Sequence, residues 1–212
     1  LAISPDGQYN ETGNGDNAVR LFNFEGAVIR ELVAPTPGHT IEEIAISRRG
    51  NQLAVARGLR GAYVWENPLN PEGRVHRLIE APRANHVCFS PDGYKIAVAA
   101  GKTLRIFSNQ RHQLSVDEAP DPIRAMPFYV SGRYLAWGCR NHVVYVLDLL
   151  RSKQSSWIAL TLEGHEAAVS AIAFQKGSAN AFNYQPEDFF YSADESSRLI
   201  TWNILTNLPT PG

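Results

Sequence analysis

The side chains best suited to metal binding or nucleophilic chemistry are thinly spread along the chain. Its six histidines stand at positions 39, 76, 86, 112, 142 and 165. No two have the HxH or HExxH spacing that would bring two imidazoles onto one metal ion. Cys88 and Cys139 each lie in an apolar run with no CxxC partner, a spacing that builds neither a zinc site nor a disulfide framework. Each is expected to be a buried free thiol in a reducing, cytoplasmic compartment. A serine nucleophile on a strained elbow would need Gly-x-Ser-x-Gly, which the chain lacks. Ser131-Gly132 and Gly177-Ser178 fall where turns are expected. There is no GxxxxGK[ST] and no GxGxxG opening a helix, and Gly13-Asn14-Gly15-Asp16 reads as a strand-connecting turn rather than a phosphate cradle or calcium loop. These patterns predict a chain that is not an enzyme, holds no cofactor or metal and takes no small-molecule substrate.

What the elements must position is therefore a surface. The chain has 212 residues, 44% hydrophobic and 19% charged, with a net charge of -1. That is enough apolar material for a substantial core. The balance shows no global bias toward nucleic acid or anionic membrane, and no apolar run approaches the ~18 residues that would span a bilayer. One short pattern recurs: an apolar run, Ser or an aromatic, two residues, Gly, then another apolar run. It reads Ser4-Pro5-Asp6-Gly7, Ser47-Arg48-Arg49-Gly50, Ser90-Pro91-Asp92-Gly93, Tyr129-Val130-Ser131-Gly132 and Phe174-Gln175-Lys176-Gly177. The glycines are 43, 43, 39 and 45 positions apart, the period of a four-stranded propeller blade. In the Pro-Asp-Gly turn proline presets φ, aspartate bonds the following backbone, and glycine accepts positive φ.

Each unit repeats one grammar. A first run precedes the turn (41–47, 85–90) and a second follows it (52–56, 95–100, 134–138). A third ends in bulky residues: Leu21-Phe22, Val64-Trp65, Ile106-Phe107, Val146-Leu147, Thr201-Trp202. A more polar fourth leads to the next unit (75–80, 157–162). Short β-branched and aromatic runs broken by Gly, Pro and Asn are strands. The fold class is all-β: a β-propeller of four-stranded antiparallel blades. The blades fall at about 1–36, 37–82, 83–120, 121–164 and 165–212, the last incomplete.

In this grammar the chain resembles the WD-repeat family. Blade five carries Gly164-His165, Ser192 and Trp202-Asn203, close to the family's Gly-His…Trp-Asp signature. The resemblance implies a buried hydrogen-bond chain through His165, Ser192 and Trp202, with Ser196 standing where the family has Asp. Blade one matches at Thr12 and Asp16, with Phe22 in place of Trp. Blade two keeps Gly38-His39 and Trp65, and blade four has Asn141 at the Asp position. The degenerate motifs imply blades held mostly by apolar packing between sheets. Family members commonly close with seven blades, so the chain, with about five blades, is expected to be an incomplete ring from a seven-bladed propeller. Strand two of blade one, Tyr9-Asn10-Glu11-Thr12, is unusually polar, and Asn10-Glu11-Thr12 is formally a glycosylation sequon.

By the same resemblance, loops joining strands two and three emerge around the central channel. They carry Arg57, Leu59 and Arg60 in blade two, Lys102 in blade three, Arg140, Asn141 and His142 in blade four, and Glu195 and Arg198 in blade five, with Arg83 beside them. This local positive excess predicts a face for protein or peptide partners, acidic or phosphorylated, because arginine pairs bidentately with carboxylate or phosphate. Nucleic acid and membrane are not expected partners. The long connection 176–187, with Phe182 and Tyr184, is a docking element or a mobile insertion. The expected role is a protein–protein interaction scaffold, the partner-binding module of a larger protein. The Pro-Asp-Gly turns give it a prokaryotic, cyanobacterial-like character. The alternative is the propeller of a prolyl-oligopeptidase-like hydrolase or a TolB-like periplasmic factor.

Overall fold

A computed structural model describes residues 2–3, 10–13, 18–33, 40–79, 83–109, 113–129, 131–150, 158–174 and 189–204. Gly38-His39, Gly13-Asn14-Gly15-Asp16 beyond its first residue, the 176–187 connection and 205–212 fall outside these, as does the side chain of Thr12. The strands form five antiparallel sheets, and the chain divides into two units, residues 1–120 and 121–212.

Unit 1 contains three sheets, each in sequential order. The first is β1 (Ala2–Ile3), β2 (Asn10–Gly13), β3 (Ala18–Phe22) and β4 (Val28–Val33). The second is β5 (Glu43–Ile46), β6 (Gln52–Ala56), β7 (Ala62–Glu66) and β8 (Val75–Ile79). The third is β9 (Ala84–Phe89), β10 (Lys95–Ala100), β11 (Thr103–Ser108) and β12 (Gln113–Glu118). Unit 2 holds β13 (Ile123–Ala125), β14 (Tyr134–Cys139), β15 (Val144–Asp148) and β16 (Ile158–Leu162), then a sheet that shows three strands among the described residues: β17 (Val169–Phe174), β18 (Phe189–Asp194) and β19 (Leu199–Asn203). The polar stretch around Asn10 does form a strand, pairing Asn10 with Ile3 and with Phe22.

Strand alternation explains the near-continuous apolar runs. Successive side chains of a strand point to opposite faces, and a strand buried on both faces has no polar side to keep. In the second sheet Leu53, Val55, Tyr63 and Trp65 pack with Val19, Leu21 and Leu32 of the first. The intervening Ala54, Ala56, Ala62 and Val64 pack the other way, with Val87, Ile96, Val98 and Phe107 of the third. Small residues on one face thus meet large ones on the next sheet. The first strands of these sheets, β1, β5 and β9, lie beside one another.

In unit 2, Tyr134, Ala136, Val144, Val146 and Leu160 pack against Val169 and Phe190. Gly138 is required here: a Cβ on it would stand 2.4 Å from Val169 Cγ1. By contrast Val28, Ile29 and Val33 of β4 and Leu199 of β19 are exposed apolar side chains.

Candidate functional site

The best-ordered polar constellation lies at the start of the fifth sheet. Gly164, at φ 153°, leads into His165, whose side chain is fully buried against β18 and Trp202. On β18 the buried positions alternate as Phe190, Ser192 and Asp194, so the hydroxyl and the carboxylate share a face. His165 Nε2 lies 2.6 Å from Ser192 Oγ, and Nδ1 lies 2.9 Å from Asp194 Oδ2. Trp202 Nε1–H donates to the same Ser192 Oγ at 2.7 Å. One proton arrangement satisfies every member: indole to serine, serine hydroxyl to Nε2, and Nδ1–H to carboxylate. The carboxylate is thus Asp194 rather than a residue at position 196. Strand parity puts Asp194 on the buried face, whereas Ser196 sits in the exposed turn and donates its N–H to Asp194 Oδ1 at 3.0 Å and its hydroxyl to the same oxygen at 2.7 Å.

Asp194 also accepts from the Arg198 N–H at 2.9 Å. Burial alone would raise its pKa, but the bonds from Ser196, the Arg198 N–H, His165 and the Glu166 N–H hold it well below the usual carboxylate range. The ionised carboxylate therefore ties the His165–Glu166 segment to the β18–β19 turn. All four members are bonded to one another and buried or half-buried, an arrangement that stabilises the sheet and leaves no free nucleophile. Among the described residues no group of three or more His, Cys, Asp or Glu could hold a metal ion.

Trp65, assigned by sequence to the same kind of chain, instead packs in the core at 6.2 Å from Tyr63. Asn141 donates from Nδ2 to Tyr145 Oη at 3.1 Å.

The turns between second and third strands form the second candidate feature; those among the described residues are tied by backbone bonds to the segment that enters a first strand. In unit 1 Gly58 N–H donates to Ala84 O at 3.0 Å, and Ala84 N–H donates back to Gly58 O at 2.9 Å. This reciprocal bridge brings Leu59 and Arg60, both exposed, to the exposed Arg83, which takes φ 70°. Ala119 N–H bonds Lys102 O at 2.8 Å, and Lys102 Nζ donates to Pro120 O at 2.8 Å. In unit 2 Arg140 N–H reaches Pro122 O at 3.1 Å and Glu195 N–H reaches Ala168 O at 3.0 Å. Arg140, Asn141 and His142 are exposed, His142 with φ 69°.

Two corrections follow for these turns. Arg57 is not on the surface: it is 0% exposed, its guanidinium 5.5 Å from the Tyr63 ring centroid. Burial lowers its pKa, opposed by Tyr63. In unit 2 the acids and bases are largely spent on each other. Glu195 pairs with Arg124, a residue that sequence reasoning missed, and Arg198 pairs with Glu166.

No family model matches the chain. Over 238 aligned residues it is 23% identical to Telomerase Cajal body protein 1 of Homo sapiens, a match covering 95% of the chain and 40% of that protein. That relative is a WD-repeat protein. The similarity runs through nearly all of the present sequence, and the chain spans about 40% of the length of the relative it matches. It lends no support to the prokaryotic character suggested by the turns.

Proposed function

We propose that the chain is a non-enzymatic interaction scaffold, the partner-binding module of a larger protein, whose second-to-third-strand turns engage an acidic or phosphorylated protein segment in a cytoplasmic compartment. The distant likeness to a WD-repeat protein favours protein partners in general. The observation that carries the finer reading is the set of exposed arginines that make no ion pair among the described residues. Arg60 and Arg83 lie on the two segments joined by the Gly58–Ala84 bridge of unit 1, and Arg140 lies in a turn of unit 2. Their supports are backbone hydrogen bonds between sheet and turn, so the guanidinium groups project from a rigid base, the condition under which bidentate pairing is strongest.

The test is charge reversal of Arg60, Arg83 and Arg140 together, with partner capture and thermal melting measured side by side. Binding should fall by at least about tenfold, the equivalent of losing one charge-assisted contact, at an unchanged melting temperature. Full binding by the triple variant would refute the assignment of these turns.

A further inference from the structure

A second surface lies at the other end of the same strands in unit 1, where the turns 47–52 and 90–95 of the second and third sheets stand side by side. Both turns are locked by their own serine. Ser47 Oγ accepts from the Gln52 N–H at 3.0 Å and donates to Asn51 Oδ1 at 3.0 Å. Ser90 Oγ accepts from the Lys95 N–H at 2.8 Å and bonds the Asp92 carboxylate. Between them is a shallow polar cleft of about 70 Å³ lined by Arg49, Asn51, Gln52, Asp92, Tyr94 and Asn109, among others.

The acid of this cleft is already engaged. Asp92 accepts from Ser90 and from the Tyr94 N–H at 2.9 Å, with Lys95 Nζ at 3.8 Å. Burial works against its ionised form, but the Ser90 hydroxyl, the Tyr94 N–H and Lys95 outweigh it and lower its pKa. The other groups are uncommitted. The side chains of Arg49, Gln52, Tyr94 and Asn109 make no hydrogen bond or ion pair among the described residues, and the Asn51 amide is fixed through its oxygen, which leaves its N–H₂ end open. Tyr94 is 60% exposed, and Arg48 and Arg49 are both exposed.

We propose that this cleft docks an extended acidic segment of a partner protein. The Gln52 and Asn109 side-chain amides each carry one donor group and one acceptor, the complement of a peptide main chain, and Asn51 adds a donor. Tyr94 offers a rigid amphipathic ring beside them, and tyrosine and arginine are the residue types that dominate binding energy at interfaces. Arg49 supplies the fork for a carboxylate. A nucleic-acid strand fits less well, because it needs a track of cations where the cleft lining offers one, Arg49.

The experiment titrates the isotope-labelled chain with a capped peptide in which Glu alternates with Ser, followed by amide chemical shifts. Shifts should concentrate at Arg49, Asn51, Gly93 and Tyr94. Arg49→Glu and Tyr94→Ala should each weaken binding by about tenfold or more without changing the melting temperature, since both side chains are exposed. Reversal of Arg60, Arg83 and Arg140 should leave this binding intact, which separates the two faces. The proposal is overturned if no shifts appear, if they fall only on the 57–61 and 140–142 turns, if Arg49→Glu binds as well as the parent, or if an oligoribonucleotide of equal charge displaces the peptide.

Discussion

Replacing Ser192 by alanine removes the centre of the buried polar chain, and the cost can be worked from the contacts. The hydroxyl accepts from Trp202 Nε1 and lies 2.6 Å from His165 Nε2. Without it the His165 ring nitrogen is left in a site from which solvent is fully excluded. Such a group costs about 1–3 kcal/mol when unpaired. The lost bond from the half-buried Trp202 indole adds ~0.5–1 kcal/mol, because water can partly replace it. The sum, about 1.5–4 kcal/mol, corresponds to a fall in Tm of roughly 3–16 °C for a chain of this size. Calorimetry and urea unfolding of Ser192→Ala measure it directly. A double-mutant cycle with Trp202→Phe should show a coupling of about 1 kcal/mol or more. A destabilisation below ~0.5 kcal/mol, or strict additivity of the two substitutions, would refute the shared hydrogen-bond chain.

Further outcomes follow from other contacts. Gly138→Ala should destabilise by about 1–3 kcal/mol, the range for overpacking, since its methyl would meet Val169 at 2.4 Å; an unchanged urea midpoint would show that the sheets are farther apart. Asp194 has a depressed pKa in the folded state, so its contribution is present above the unfolded carboxylate value near ~4 and is lost as pH falls below it. Asp194→Asn should flatten the acid side of the stability profile, and an identical slope in parent and variant would contradict this. Arg57→Glu should lower the melting temperature, whereas Arg60→Glu should not, because only Arg57 is buried; equal melting curves would return Arg57 to the surface.

Much of the fold is written in the spacing of turns. The expected second strands at 52–56 and 95–100 coincide with β6 and β10, because a Ser-x-x-Gly turn and a following glycine or charged turn bracket each apolar run. The candidate site was less legible, for a reason visible at two residues. Arg57 follows Ala56 and precedes a glycine turn, so it resembles a loop residue; yet counting by twos from Leu53 and Val55 places it on the buried face beside Tyr63. Asp194 follows the same rule, two positions beyond Ser192 on the face turned inward. Parity along the strand was the available signal in both cases. The pairing of Arg124 with Glu195 had no such signal, since 71 residues separate the partners and each is polar in a turn or at a strand edge.

The account rests on sheets that use both faces, one toward each neighbour, and free their turns for binding. Methyl–methyl nuclear Overhauser contacts within β6 test that directly. Val55 should show contacts to Val19 and Leu21, while the adjacent Ala54 and Ala56 show contacts to Val98 and Ile96 instead. If Val55 and Ala54 both touched the same neighbouring sheet, or if helical contacts appeared across 52–56, the stacked-sheet reading and the surfaces drawn from it would be wrong.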